Sequence, residues 1–155
     1  LTRGALAEMR TLLLELRPAG IAEKPLGVIL RQLADAVSSR TRLPISITVE
    51  GDECLSSEVQ TALYRIAQEA LNNVAKHAHA TRVSIRLDCT SCEVMLEICD
   101  DGQGFDTTKR VPGKHGMGIM YERASSINAL LEIKSAPGGG TCISIRRQVP
   151  EEEQR

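Results

Sequence analysis

The stretch from Ser57 to about Ala78 limits what this chain can fold into more than any other. Val59, Leu63, Ile66, Ala67, Ala70, Leu71, Val74 and Ala78 fall on one side of a helix turning about 100° per residue. A Ser57-x-x-Gln60 capping box opens it. An apolar stripe this continuous is stable only against a second apolar layer, and the surrounding sequence supplies one in the form of strands.

After Leu43-Pro44, "ISITVEG" alternates at period two and reads as a strand. "TRVSIRL" and "EVMLEIC" flank the short "DCTSC" stretch as a hairpin, and "LLEIKSA" and "TCISIRRQV" flank the turn "PGGG". Two more helices are expected. One runs from about Lys24 to Thr41, with Pro25 in its first turn, and the other from about Gly118 to Asn128. Between Asp100 and about His115 the content of Gly, Lys, Thr, Asp and Pro predicts an irregular, mobile loop. Hairpins with helices between them argue for an α+β fold, a two-layer α/β sandwich whose mixed sheet is covered by helices on one face, rather than a doubly wound sheet.

The front of the chain reads differently. In "LTRGALAEMRTLLLELRP", Thr2, Leu6, Met9, Leu13 and Leu16 form a helical seam ended by Pro18, suited either to a helical bundle or to lying on the chain's own domain. The expected division is residues 1–20 as this helical segment, 21–150 as the main domain and 151–155 as a polar tail.

Nineteen basic against 20 acidic residues leave no overall charge that would recruit nucleic acid or an anionic membrane. No apolar run approaches the roughly 20 residues that cross a bilayer, and the start lacks both a signal-peptide layout and an initiator Met, so the chain reads as a soluble piece of something longer. Five cysteines in a chain with core enough not to need staples suit a reducing compartment, with the cytosol as default. Cys89-Thr-Ser-Cys92 has the spacing of half a zinc site, but no matching pair follows and it falls where the hairpin should turn.

Four polar stretches adjoin the expected core. On the long helix Glu69, Asn73, Lys76 and His77 form a stripe at the edge of the apolar face, with Glu69 and Asn73 one turn apart. Oxygen ligands beside a lysine fit Mg²⁺ with a phosphate ester; a solvated flank with Glu and Lys seven apart fits them too. In "EICDDGQGFD" Asp100 stands where the chain leaves a strand, and Gly102 and Gly104 remove side chains that would hold a ligand off the backbone. An Asp-Gly turn gives the same letters, while a calcium loop fails for want of further oxygen ligands. Gly116 and Gly118 lead into a helix whose free amides could bind phosphate, with Lys114 and His115 as added donors. "PGGGT" brings Thr141 to a strand start, as many hairpins would.

In this order, these stretches resemble the nucleotide-binding catalytic domain of sensor histidine kinases, in the branch that includes nitrate and cell-envelope sensors. "YRIAQEALNNVAKHA" resembles the family's N box, "DDGQGF" its first glycine box, "HGMGIMYERA" its second and "GGGT" its last. The resemblance spans roughly Ser57 to Val149 and is weaker back to Leu1. One departure is "SSINALLEI", where relatives often carry a Gly pair at Asn128 and Ala129.

The resemblance implies the ATP-lid fold, with ATP bent over the sheet beneath a loop from Thr107 to Lys114 that begins just beyond Phe105. Asp100 would accept a hydrogen bond from the adenine amino group, supported by Thr141, and an ionised carboxylate, which only accepts, would discriminate against guanine. Asp101 would be a solvated neighbour. Asn73 would be a Mg²⁺ ligand with Glu69 beside it in the metal shell, these two being the catalytic pair. Lys76, His77, Lys114 and His115 would line the phosphates, and Gly116, Met117 and Gly118 would present the second glycine box to them. The resemblance further implies γ-phosphoryl transfer to a histidine on a dimerisation helix, then to an aspartate of a response regulator. "ALAEMRTLLLELRP" resembles the second helix of the dimerisation bundle. The acceptor histidine belongs to the first bundle helix in a His-Asp context that His77, His79 and His115 lack, so it is expected outside this chain. Two alternatives stay open: a nucleotide-sensing module without chemistry, and an ATPase of the gyrase, chaperone or mismatch-repair kind, in which the residue equivalent to Glu69 activates water.

Overall fold

The structure, a computed structural model, describes residues 2–6, 9, 23–51, 55–109 and 115–154. In chain order its elements are α1 (Leu26–Thr41), β1 (Ile45–Gly51), α2 (Ser57–Asn73) with a π-helical turn (Val74–Ala78), β2 (Val83–Cys89), β3 (Glu93–Asp100), α3 (His115–Ser126), β4 (Leu130–Ser135), β5 (Thr141–Gln148) and a 3₁₀ turn (Glu151–Glu153). The five strands form one sheet in the order β1-β2-β3-β5-β4. β1 runs parallel to β2 and the other neighbours are antiparallel.

The expected mixed α+β sheet is therefore present, and alternation explains which face it buries. Val83, Ile85 and Leu87 on β2 and Val94, Leu96 and Ile98 on β3 are buried, while the residues between them are more exposed. They join Leu63, Ile66 and Leu71 of α2, Leu26, Ile29 and Leu30 of α1 and Met120 of α3 in a single core. At about 25 cal/mol per Å² of apolar surface removed from water, this interlayer burial is the main stabilising term.

Several boundaries differ from the sequence reading for local reasons. The cap of α2 is Ser56, not Ser57: its Oγ accepts from the Val59 N–H at 3.3 Å. Gln60 is not its reciprocal partner, because its side-chain amide donates to the Lys24 carbonyl and ties the start of α2 to the approach to α1. α1 starts at Leu26 with Pro25 as its N-cap residue. Asn128, where relatives often have glycine, adopts φ 54°, a left-handed conformation asparagine tolerates.

Of the N-terminal seam, Thr2 accepts from the Ala5 N–H at 3.2 Å, and a Cβ on Gly4 would come within 3.0 Å of Ser39 on α1. Leu13, Leu16 and Pro18 lie outside the described residues. At the other end Arg147 is buried, donates to the Ile127 carbonyl at 2.9 Å and makes paired bonds to Glu153 at 3.0 and 3.1 Å, fastening the final turn to the end of α3. No helix among the described residues is long and apolar enough to cross a membrane.

Two of the five cysteines are brought together by the sheet. Cys99 and Cys142 are register partners on β3 and β5, with Cα atoms 4.1 Å apart, and are joined by a disulfide. Their sequence separation of 43 gave no sign of this, because strand register decides it. Cys89 is buried and Cys92 exposed, at the two ends of the hairpin turn where a zinc half-site was disfavoured.

Candidate active site

A cavity of about 450 Å³ opens between α2, α3 and the ends of β3 and β5. Glu69, Asn73, Lys76, His77, Asp100, Gly104, Phe105, Gly116, Met117 and Thr141 all line it, so residues from four separated stretches meet in one place. Ile98, Ile133 and Ile143, aligned across β3, β5 and β4, give it an apolar floor, with Met120 beside them. Strand alternation puts each of these isoleucines on the inward side, but only the register shows that they form a continuous surface.

The polar stripe of α2 is delivered by two geometries. Glu69 and Asn73 belong to its regular part, whereas Lys76 and His77 sit on the π-helical turn and are exposed at the cavity's rim. The wider turn re-aims the residues after Asn73, as such turns often do at functional sites. This replaces the uninterrupted helix expected as far as Ala78. Glu69 reaches α3, where its carboxylate occupies the space that a Cβ on Gly116 would need.

Asp100 accepts from the Gly102 N–H at 2.8 Å, and the Thr141 backbone N–H also favours its ionised form. Burial holds its carboxyl above the ordinary aspartate range despite those donors, with the neighbouring Asp101 charge acting in the same direction. Asp101 is exposed, as expected of a solvated neighbour, but it is also bound in place. Its carboxylate accepts from the Thr81 hydroxyl, the Arg82 N–H at 3.0 Å and the Thr81 N–H at 2.8 Å. These bonds lower its pKa to about 2, with the Thr81 side chain contributing most. Asp101 thus clamps the entry to β2.

The sign of that shift gives a prediction. A depressed folded-state pKa adds stability that is present above the ordinary aspartate value of about 3.9 and is lost as pH falls from there through about 2. Asp101→Ala is expected to lower the melting temperature at pH 7 and to flatten its decline in that acid window, with little effect on ligand affinity. Thermal melts across pH check it; an unchanged acid limb would remove the clamp role.

The glycines divide by what they approach. A Cβ on Gly102 would overlap the Ala78 carbonyl, and Gly104, at φ +61°, lies against the Ala136 and Gly140 carbonyls. Both serve close approach of the chain to itself, and Gly102 does not line the cavity. α3 begins at His115, not Gly118, so Gly116, Met117 and Gly118 lie in its first turn, where helix amides want acceptors. Gly118 is exposed and off the cavity wall. Lys114 and the later part of the Thr107–Lys114 loop lie outside the described residues.

Two residues were missed in the sequence. Gln103 donates through its backbone to the Ala78 carbonyl at 2.6 Å and through its side chain to the His77 carbonyl, and accepts from the Gly138 N–H at 2.6 Å. Ser135 sits where β4, β5 and the Phe105 loop meet. Nothing in local sequence marks either one, since their partners are distant along the chain.

Comparison with known proteins places this arrangement. Residues 58–152 match the family described as histidine kinase-, DNA gyrase B-, and HSP90-like ATPases. The chain belongs to that family. Among curated relatives of this ATPase-family chain, sensor histidine kinase LiaS of Bacillus subtilis is 35% identical over 95% of it. Sensor protein VraS of Staphylococcus saprophyticus is 34% identical over 94%. The chain spans 41% and 42% of those two proteins' lengths. Among solved structures, the histidine kinase domain of the Erythrobacter litoralis EL346 blue-light activated histidine kinase aligns with a TM-score of 0.63 at 24% identity, covering 84% of this chain and 67% of that one. Histidine kinase AdeS of Acinetobacter baumannii aligns with a TM-score of 0.68 at 12% identity, covering 92% and 79%. These two likenesses concern the fold.

Proposed function

We propose that this ATPase-family chain is the ATP-binding catalytic portion of a cytoplasmic sensor histidine kinase module, which delivers the γ-phosphoryl group of ATP to a histidine on a dimerisation helix. The phosphoryl group then passes to an aspartate of a response regulator. The observation carrying this reading is the meeting, over one apolar floor, of the Glu69–His77 stripe with the Asp100–Thr141 pair. An adenine ring is flat and apolar on its faces, which suits Ile98, Ile133 and Ile143. Its amino group needs an acceptor, which suits Asp100.

In this reading Lys76 and His77 at the rim, with the first-turn amides from Gly116 to Gly118, hold the phosphates, and the family resemblance adds Lys114 and His115 as further donors. Glu69 and Asn73 present hard oxygen donors one turn apart on the cavity wall, a set that fits Mg²⁺. When bound, that ion would neutralise phosphate charge. Phosphoryl transfer demands positioning and charge stabilisation more than covalent help, which is what these residues can offer. The segment 1–20 is assigned to the dimerisation bundle, and the loop from Thr107 to Lys114 to the lid.

The test is to add a peptide or domain carrying the acceptor helix in trans and follow γ-labelled ATP. Acid-labile, base-stable label on its histidine is expected, with none on this chain alone. Release of free phosphate without labelled histidine would instead support a gyrase-type ATPase. Binding with neither outcome would support a nucleotide sensor.

A further inference from the structure

We infer that Ser135 is a positioning residue for base selection, fixing the Thr141 hydroxyl so that its oxygen faces the nucleotide as an acceptor. The inference rests on the reading of Asp100 as the adenine contact.

Counting protons at Ser135 carries the argument. Its Oγ lies 2.9 Å from the Phe105 N–H, 2.9 Å from the Gly140 carbonyl and 2.8 Å from the Thr141 Oγ1. The Phe105 amide can only donate, and the Gly140 carbonyl can only accept. The single Ser135 proton therefore goes to Gly140, and the third contact is made by the Thr141 proton donated to Ser135. Thr141 has one hydroxyl proton, and it is committed. What remains on its oxygen is acceptor capacity.

Thr141 and Asp100 are register partners across β5 and β3, and both line the cavity. The Asp100 carboxylate, when ionised, is also an acceptor. The two groups together suit an exocyclic amino group, which has two protons to give, and repel a carbonyl at the same place. Guanine carries that carbonyl. Without Ser135, the Thr141 hydroxyl could rotate and donate, and the penalty against a carbonyl would fall. Ser135 touches neither base nor phosphate in this account; it acts through Thr141.

Calorimetric titration with Mg²⁺·ATP and Mg²⁺·GTP tests this on the whole chain. The unmodified protein is expected to prefer ATP, and Ser135→Ala to narrow the ATP-to-GTP affinity ratio by about tenfold, mainly through tighter GTP binding. One redirected hydrogen bond of about 1–1.5 kcal/mol corresponds to such a change. Ser135→Thr keeps the hydroxyl and should keep the ratio. In a Thr141→Val background, Ser135→Ala should no longer move the ratio, a result that a merely structural serine would not give. If Ser135→Ala fails to fold, Thr141→Val and Ser135→Thr carry the test, the first narrowing the ratio and the second preserving it.

An unchanged ratio in Ser135→Ala, or equal weakening for both nucleotides, overturns the inference. An unmodified protein without preference for ATP does the same. Asp100→Asn separates the levels: unchanged ATP affinity there sinks the pocket reading and this inference with it. A loss there, with selectivity intact in Ser135→Ala, overturns the role of Ser135 alone.

Discussion

Asp100→Asn is expected to weaken Mg²⁺·ATP binding by about 10- to 100-fold, the equivalent of one charge-assisted hydrogen bond of about 1.5–3 kcal/mol. The two side chains have the same shape, and an asparagine oxygen can still accept from the Gly102 N–H that lies 2.8 Å from Asp100 Oδ1. The amide, however, would either present its NH₂ to the adenine amino group or accept with a neutral oxygen. Either outcome loses the charged acceptor. The fold should not suffer. Burial raises the Asp100 pKa, so the ionised carboxylate is the form the native state disfavours, and removing it should leave the melting temperature at neutral pH level or slightly higher.

The same shift sets a pH dependence. In the proposed reading adenine is held by ionised Asp100, so ATP affinity should fall as pH drops through a carboxyl pKa lying above the ordinary aspartate value. In Asp100→Asn that acid limb should vanish. Calorimetry over a pH series reads both effects, and a limb that survives the substitution would assign it to another group.

The strands were legible because each buries one face, so period-two alternation in "ISITVEG" and "EVMLEIC" reports sheet and side directly. Neither the partner of each strand nor its register follows from that alternation. For that reason the pairing of Asp100 with Thr141, the isoleucine floor and the Cys99–Cys142 bridge were not derivable from spacing. Family resemblance supplied the first of these, and nothing supplied the third. Asp101 illustrates a second limit: in sequence it looks like a spare acid next to a reader, yet three of its bonds run to Thr81 and Arg82, about twenty residues upstream. The π turn after Asn73 shows a third, because a register change in backbone hydrogen bonding leaves the side-chain pattern of "NVAKHA" looking helical.

Substitution of the boxed glycines should separate three physical reasons for the same residue. Gly102→Ala is expected to be the most damaging, since the new Cβ would overlap the backbone of Ala78, which cannot swing aside as a side chain can. Overpacking of this kind costs about 1–3 kcal/mol, and moving the loop would stretch the 2.6 Å bond from the Gln103 N–H to the Ala78 carbonyl as well. At about 2–4 °C per kcal/mol for a domain of this size, the melting temperature should fall by several degrees. ATP affinity should fall with it, because Asp100 accepts from the Gly102 N–H itself. Gly116→Ala meets first the carboxyl end of Glu69, a group that can rotate, so its stability loss should be smaller while the Glu69 position in the cavity changes. Among the described residues nothing crowds Gly118, which lies inside a helix, where alanine is the better former by about 1 kcal/mol. Gly118→Ala should therefore stabilise the fold. A Gly118→Ala protein that melts higher yet binds ATP more weakly would show that this glycine exists for close approach of phosphate. One that melts higher and binds ATP equally well would limit the phosphate contacts to Gly116, Met117 and the residues before them.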